Sequence, residues 1–211
     1  GVKLPRDFTE YFGGKEKAFK TMMAGEILDT VKLSAFAKKF YSEPFTLNEI
    51  PEEYISRNNG VMLISSGKIR QSNEGCACTM NSILKQFIKH LTVGENEVVL
   101  LDMEAGVEHF GRGVDNSVDL ILMIVDPSFE SLKLTKKIQQ LGDSIGKTVF
   151  FVLNKVNELV LPTMLESIDD QSKVLAVIST DTEIARKGLV GDELMMEIPE
   201  IHMLARKILK Q

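Results

Sequence analysis

The 211 residues carry 25 Lys and Arg against 30 Asp and Glu, for a net charge of -5 and a pI near 5.4. The basic residues form no long cluster, so nucleic acid is not expected as a partner. A hydrophobic content of 44% suits one globular domain over residues 1–211. No apolar run approaches the ~20 residues that cross a bilayer, so no membrane partner is expected. The sequence shows no signal-peptide pattern, and its two cysteines lie in one short motif. A secreted disulfide scaffold is thereby excluded, and the expected location is cytoplasmic.

Residues 1–14 hold turn residues and scattered aromatics without a sustained period. Residues 15–40 predict two helices, with Phe19, Met22, Met23 and Ile27 at helical spacing and Gly25 as the break. Residues 42–60 carry Pro44, Pro51, Asn58, Asn59 and Gly60, which is loop chemistry. A short buried strand is predicted at 61–64, stopped by Ser65, Ser66 and Gly67. A helix follows over 79–91, with Ile83, Phe87 and Leu91 on one face. Residues 98–101 form an unbroken apolar run rich in β-branched residues and predict a strand buried on both faces of a parallel sheet. The next parallel strand is 118–125. Ser128 caps a helix that runs to about Gly142, with Ser131 in its first turn. Then come a strand at 149–153, a helix at 159–168, a strand at 173–178 and a terminal helix at 201–209. The alternation from residue 61 onward predicts an α/β fold, a mostly parallel sheet flanked by helices.

Three places in this chain carry chemistry. Asp102 follows the apolar run 98–101, at the strand end where open α/β sheets put their ligands. Ala105 and Gly106 come next and allow close backbone approach. In phosphate-binding ATPases an acid placed this way supports the Mg²⁺ shell and the Gly N–H meets the terminal phosphate. The same Asp reads equally as a strand-end cap of a following helix. Cys76, Ala77 and Cys78 sit between a turn (Asn73, Glu74, Gly75) and a predicted helix start, where thiolate is favoured. Two thiolates two residues apart cannot complete a tetrahedral site, but two copies from two protomers can. The other reading is a pair of small residues in a packed turn. Asn154 and Lys155 follow the strand at 149–153; on its own the pair reads as a turn.

A phosphate loop, G-x-x-x-x-G-K-[ST], is absent from these residues. GDSIGKT at 142–148 is one residue short between its glycines. It also has a helix before it and a strand after it, the reverse of the required order, so it reads as a helix C-cap. FGGKE at 12–16 has no strand before it and no Ser or Thr after Lys15. SSGK at 65–68 lacks the first glycine at the needed distance.

EVVLLDMEAGVEHFGRG at 97–113, with EGCAC at 74–78, resembles the MinD-type P-loop ATPases. Within them it is most similar to the CooC family, accessory ATPases that help insert nickel into carbon monoxide dehydrogenase. The string E-A-G-x-E-H-x-G-R-G, from Glu104 onward, separates that family from its relatives. The resemblance runs from about Phe45 to the C-terminus. It implies a P-loop NTPase fold, here without the family's N-terminal strand, phosphate loop and helix. It implies ATP or ADP with Mg²⁺ as cofactors. Asp102 would act through the Mg²⁺ shell and Gly106 would sense the terminal phosphate. Glu104 and Glu108 would organise water or Mg²⁺, or serve as solvated acids of a switch loop, and His109 would be structural. Asn154 and Lys155 would hold the adenine, whose edge asks for a group that both donates and accepts. Ser179 and Thr180 would touch the base, although relatives often have Pro where Ser179 stands.

The resemblance further implies Zn²⁺ or Ni²⁺ held between two subunits by Cys76 and Cys78, a homodimer, and apo carbon monoxide dehydrogenase as partner. The 211 residues by themselves are not expected to hydrolyse ATP. Two rival readings are a partitioning or cell-division ATPase of the MinD/ParA type, which has no need of the cysteine pair, and a non-enzymatic metal-binding dimer.

Overall fold

The computed structural model describes residues 3–14, 16–18, 35–67, 78–103, 107 and 117–210; the side chains of 35, 37, 38, 41, 78 and 79 are outside that description. The chain divides into two compact units, Gly1–Ser117 and Val118–Gln211.

The first unit is built around aromatic rings. Its helices are α1 (Phe8–Tyr11), α2 (Ala35–Ser42) and α3 (Cys78–His90), and its strands are β1 (Ser56–Asn58) and β2 (Val61–Leu63). Phe8, 1% exposed, is the hub. Its ring centroid lies 5.5 Å from those of Phe12 and Phe87, both edge-on, and 5.6 Å from that of Phe40. Edge-on contact sets the positive rim of one ring against the negative face of the next. Ile83 and Phe87 of α3 are buried in this cluster, and Leu91 packs against it, as their helical spacing predicts. Scattered aromatics without a period thus converge only in three dimensions.

Two strand expectations in this unit need correction. The run at 61–64 does form β2, but β2 pairs antiparallel with β1, and Val61 is 59% exposed. Asn59 (φ 47°) and Gly60 (φ 80°) make the turn between them. Two successive left-handed residues match the twist of a two-residue hairpin, so Asn-Gly was a hairpin signal within the stretch read as loop. The second correction is larger. Residues 98–101 form no strand, and Val98, Val99 and Leu100 are exposed. A β-branched run becomes a strand only when a neighbour completes its ladder and packs its side chains. Among the described residues, 98–101 pair with no other strand.

The second unit holds the parallel sheet. Its strands are β3 (Leu120–Val125), β4 (Thr148–Val156) and β5 (Val174–Ser179), in the order β3-β4-β5. Leu120 pairs with Thr148 and Val125 with Leu153 in unbroken parallel register. Central β4 is buried on both sides: Val149, Phe151, Val152 and Leu153 have no exposed surface. Such strands read as continuous apolar runs, which is why this one was legible.

The helices of this unit are α4 (Phe129–Ser144), α5 (Leu161–Glu166), α6 (Thr182–Val190) and α7 (Pro199–Ile208). Leu204 of α7 packs on Phe150, Val152 and Leu175. Gly142 of α4 lies against Val149, on the opposite face by strand alternation. The fold is therefore α/β, a parallel sheet flanked by helices and consistent with a P-loop NTPase. GDSIGKT runs as expected from the end of α4 through Gly146 (φ 68°) into β4. Helix α6 went unassigned in the sequence reading, although Asp181 caps its start and Gly191 (φ 74°) its end. Among the described residues no helix is long and apolar enough to cross a membrane.

Candidate functional site

Three parallel strands end on one edge of the sheet, and that edge is where open α/β sheets bind ligands. Asp126 follows β3, Asn154 and Lys155 lie near the end of β4, and Ser179 ends β5 with Thr180 after it.

The end of β4 is irregular. Leu153 pairs with Val177 and Val156 with Ser179, so β4 spends three residue steps where β5 spends two. The extra residue is a β-bulge, a device that re-aims side chains at sheet ends. Lys155 takes the left-handed conformation (φ 54°) within it. A non-glycine residue there costs of order 1 kcal/mol and persists only where its surroundings hold it.

Asp126 bonds to both residues of the bulge. Asn154 Nδ2 donates to Asp126 Oδ1 at 2.9 Å, and Lys155 Nζ donates to Asp126 Oδ2 at 2.5 Å. Both bonds have a charged acceptor, the stronger class of hydrogen bond. The lysine–aspartate pair is well exposed and adds little by charge alone. Its effect is geometric, because two consecutive residues are tied to one carboxylate. Asp126 is itself anchored: its backbone N–H donates to Ser131 Oγ at 3.1 Å, in the first turn of α4.

The β5 side is fixed by backbone. Thr180 N–H donates to Val156 O at 2.9 Å. Asp181 Oδ1 then accepts from the N–H groups of Glu183 and Ile184 at 2.7 and 2.9 Å, starting α6. A hollow of about 130 Å³ opens beside this turn, lined by Ser179, Thr180 and Glu197 together with apolar Ile184, Met196 and Ile198. Asn154 and Lys155 do not line this hollow.

The structure thus brings Asn154, Lys155, Ser179 and Thr180 to one edge of one sheet. Asp102 is exposed, outside any strand, and belongs to the other unit. Glu104, Gly106, Glu108, His109 and Cys76 lie outside the described residues. Cys78 opens α3, with its side chain outside them. Among the described residues no three His, Cys, Asp or Glu side chains form a cluster able to hold a metal. Both Asp126 oxygens accept from cationic or amide donors, so Asp126 is not arranged as a metal ligand. Sequence reasoning missed Asp126. Its signal was present, an acid directly after an apolar run, the same pattern that singled out Asp102.

Comparison with known proteins adds the family. An uncharacterized ATP-binding protein of Methanocaldococcus jannaschii, MJ0084, is 39% identical over 201 residues, which is 95% of this chain and 78% of that protein. The chain belongs to this family of ATP-binding proteins. The carbon monoxide dehydrogenase accessory protein CooC of Rhodospirillum rubrum is 32% identical over 146 residues, 69% of this chain. A second ATP-binding protein of Methanocaldococcus jannaschii, MJ0823, is 29% identical over 164 residues, 74% of this chain. The chain spans 56% of CooC and 64% of MJ0823. No family model matches the sequence. The first of these relatives is named as an ATP-binding protein and the second as an accessory protein of carbon monoxide dehydrogenase.

Proposed function

We propose that this family member binds ATP at the carboxyl edge of its sheet and uses it to assist metal delivery to a client enzyme. The observation that carries the reading is the joint presentation of Asn154, Lys155, Ser179 and Thr180 on that edge. In this reading Asn154 meets the adenine, which rests against the turn at Ser179 and Thr180. The protein acts in the cytoplasm. Asp102 supports a Mg²⁺ shell, Glu104 orders water, and the Gly106 N–H meets the terminal phosphate. A carboxylate oxygen is a fitting hard ligand for Mg²⁺. The group that grips the phosphates is not assigned to any of these residues.

Nickel is the cargo. Cys76 and Cys78 supply two thiolates, and two protomers together supply the four that a tetrahedral site takes. CooC is by its name an accessory protein of carbon monoxide dehydrogenase, and apo carbon monoxide dehydrogenase is the client proposed here. A homodimer linked through the cysteine pair follows. The test is metal content and mass by light scattering for the intact protein loaded with Ni²⁺ or Zn²⁺. Metal and dimer are expected to disappear together in the Cys76→Ala, Cys78→Ala double variant. Unchanged metal content in that variant contradicts the cysteine site.

A further inference from the structure

We infer that Asp126 is a positioning residue that makes the site prefer adenine over guanine, by fixing which end of the Asn154 amide faces the base. This inference rests on the ATP-site reading above.

An asparagine amide has a donor end and an acceptor end of nearly the same shape. Either can face a ligand unless something holds one of them. A carboxylate can only accept, so Asp126 can hold only the donor end. It does so at 2.9 Å. The Oδ1 of Asn154 has no hydrogen-bond partner among the described residues and is not fully buried. The end on offer is therefore an acceptor.

At the position where adenine carries an amino group, guanine carries a carbonyl. A fixed acceptor bonds the first and repels the second. Repulsion of the wrong base is as much a part of selectivity as attraction of the right one. Three contacts keep the device rigid. Lys155 Nζ occupies the second Asp126 oxygen at 2.5 Å. Ser131 Oγ accepts from the Asp126 backbone N–H, and Ser128 caps the same helix by accepting from Ser131 N. The bulge at 154–155 turns Asn154 and Lys155 toward one carboxylate.

The experiment is calorimetric titration of the intact protein with ATP and with GTP, in wild type, Asp126→Ala and Asp126→Asn. Wild type is expected to favour ATP. In Asp126→Ala the amide is free to turn and offer Nδ2 to the guanine carbonyl, so the ATP-to-GTP affinity ratio is expected to fall about tenfold. Asp126→Asn is isosteric, and its own amide can offer either end to Asn154, so an intermediate ratio is expected. It also serves where the alanine variant does not fold. A variant that weakens both nucleotides equally and keeps the wild-type ratio would overturn the inference and leave the ATP-site reading standing. Wild type that binds both nucleotides equally would do the same. Wild type that binds neither would overturn the ATP-site reading itself.

Discussion

Thr180 hangs from Val156: its backbone N–H donates to the Val156 carbonyl at 2.9 Å, one residue past the end of β5. This bond belongs to the Val156–Ser179 pairing beyond the bulge, which keeps the turn at 179–180 beside the end of β4. The turn then passes directly into α6, through Asp181.

Removing that cap is the first test. Asp181 Oδ1 satisfies two otherwise orphaned N–H groups, those of Glu183 and Ile184. Asp181→Ala is expected to cost about 1 kcal/mol. The check is the urea midpoint, and Asp181→Ser is expected to recover most of the loss.

Gly142 tests the packing of α4 on the sheet. A Cβ there would lie 2.4 Å from Val149 Cγ2 and 3.0 Å from the Lys147 carbonyl oxygen. Helix propensity favours alanine by roughly 1 kcal/mol. Overpacking against a backbone oxygen costs about 1–3 kcal/mol and is expected to win. Gly142→Ala should lower the thermal midpoint, and adding Val149→Ala should relieve only the side-chain part of the clash.

Gly142 also shows what the sequence could disclose. The strand at β4 was legible because burial on both faces leaves an unbroken apolar run. The helix end at 142–146 was legible from glycine spacing, and Ser128 from its capping pattern. Residues 98–101 looked the same as β4, yet they are exposed. Local sequence states what a segment can bury; a neighbouring strand decides whether it does so. The aromatic hub at Phe8 has no period to read, because its partners are drawn from residues 12 to 87. At the candidate site, the strand position drew attention to Asn154 and Lys155. The bulge and its Asp126 anchor arise from cross-strand register, which a single strand does not encode.

Acid sensitivity should show at Glu49. Its carboxyl is held below the usual carboxylate range, first by a hydrogen bond from the Lys39 ammonium and then by the Thr46 backbone N–H. A depressed folded-state pKa stabilises above the unfolded value, about 4.3, and the benefit disappears as pH falls through the folded value. Glu49→Gln is therefore expected to be less stable than wild type near neutrality, with the gap closing below about pH 4. Denaturation midpoints across that range check it; a gap independent of pH would mean that the Lys39 contact does not matter.

In the proposed function Asp102 supports the Mg²⁺ shell. Asp102→Asn keeps the shape and removes the charge. In the intact protein it is expected to keep the fold and to lose on the order of 10²-fold or more in Mg²⁺-dependent phosphate release. Normal turnover with ordinary Mg²⁺ dependence would make Asp102 a structural residue only.

The most direct test is a titration of the isotopically labelled intact protein with ATP and Mg²⁺, followed by NMR at the side-chain amide of Asn154 and the backbone amide of Thr180. Both resonances are expected to shift together along one saturating curve, with Asn154→Ala abolishing most of the response at Thr180. ATP binding that saturates while both resonances stay in place would contradict a nucleotide site at this edge of the sheet.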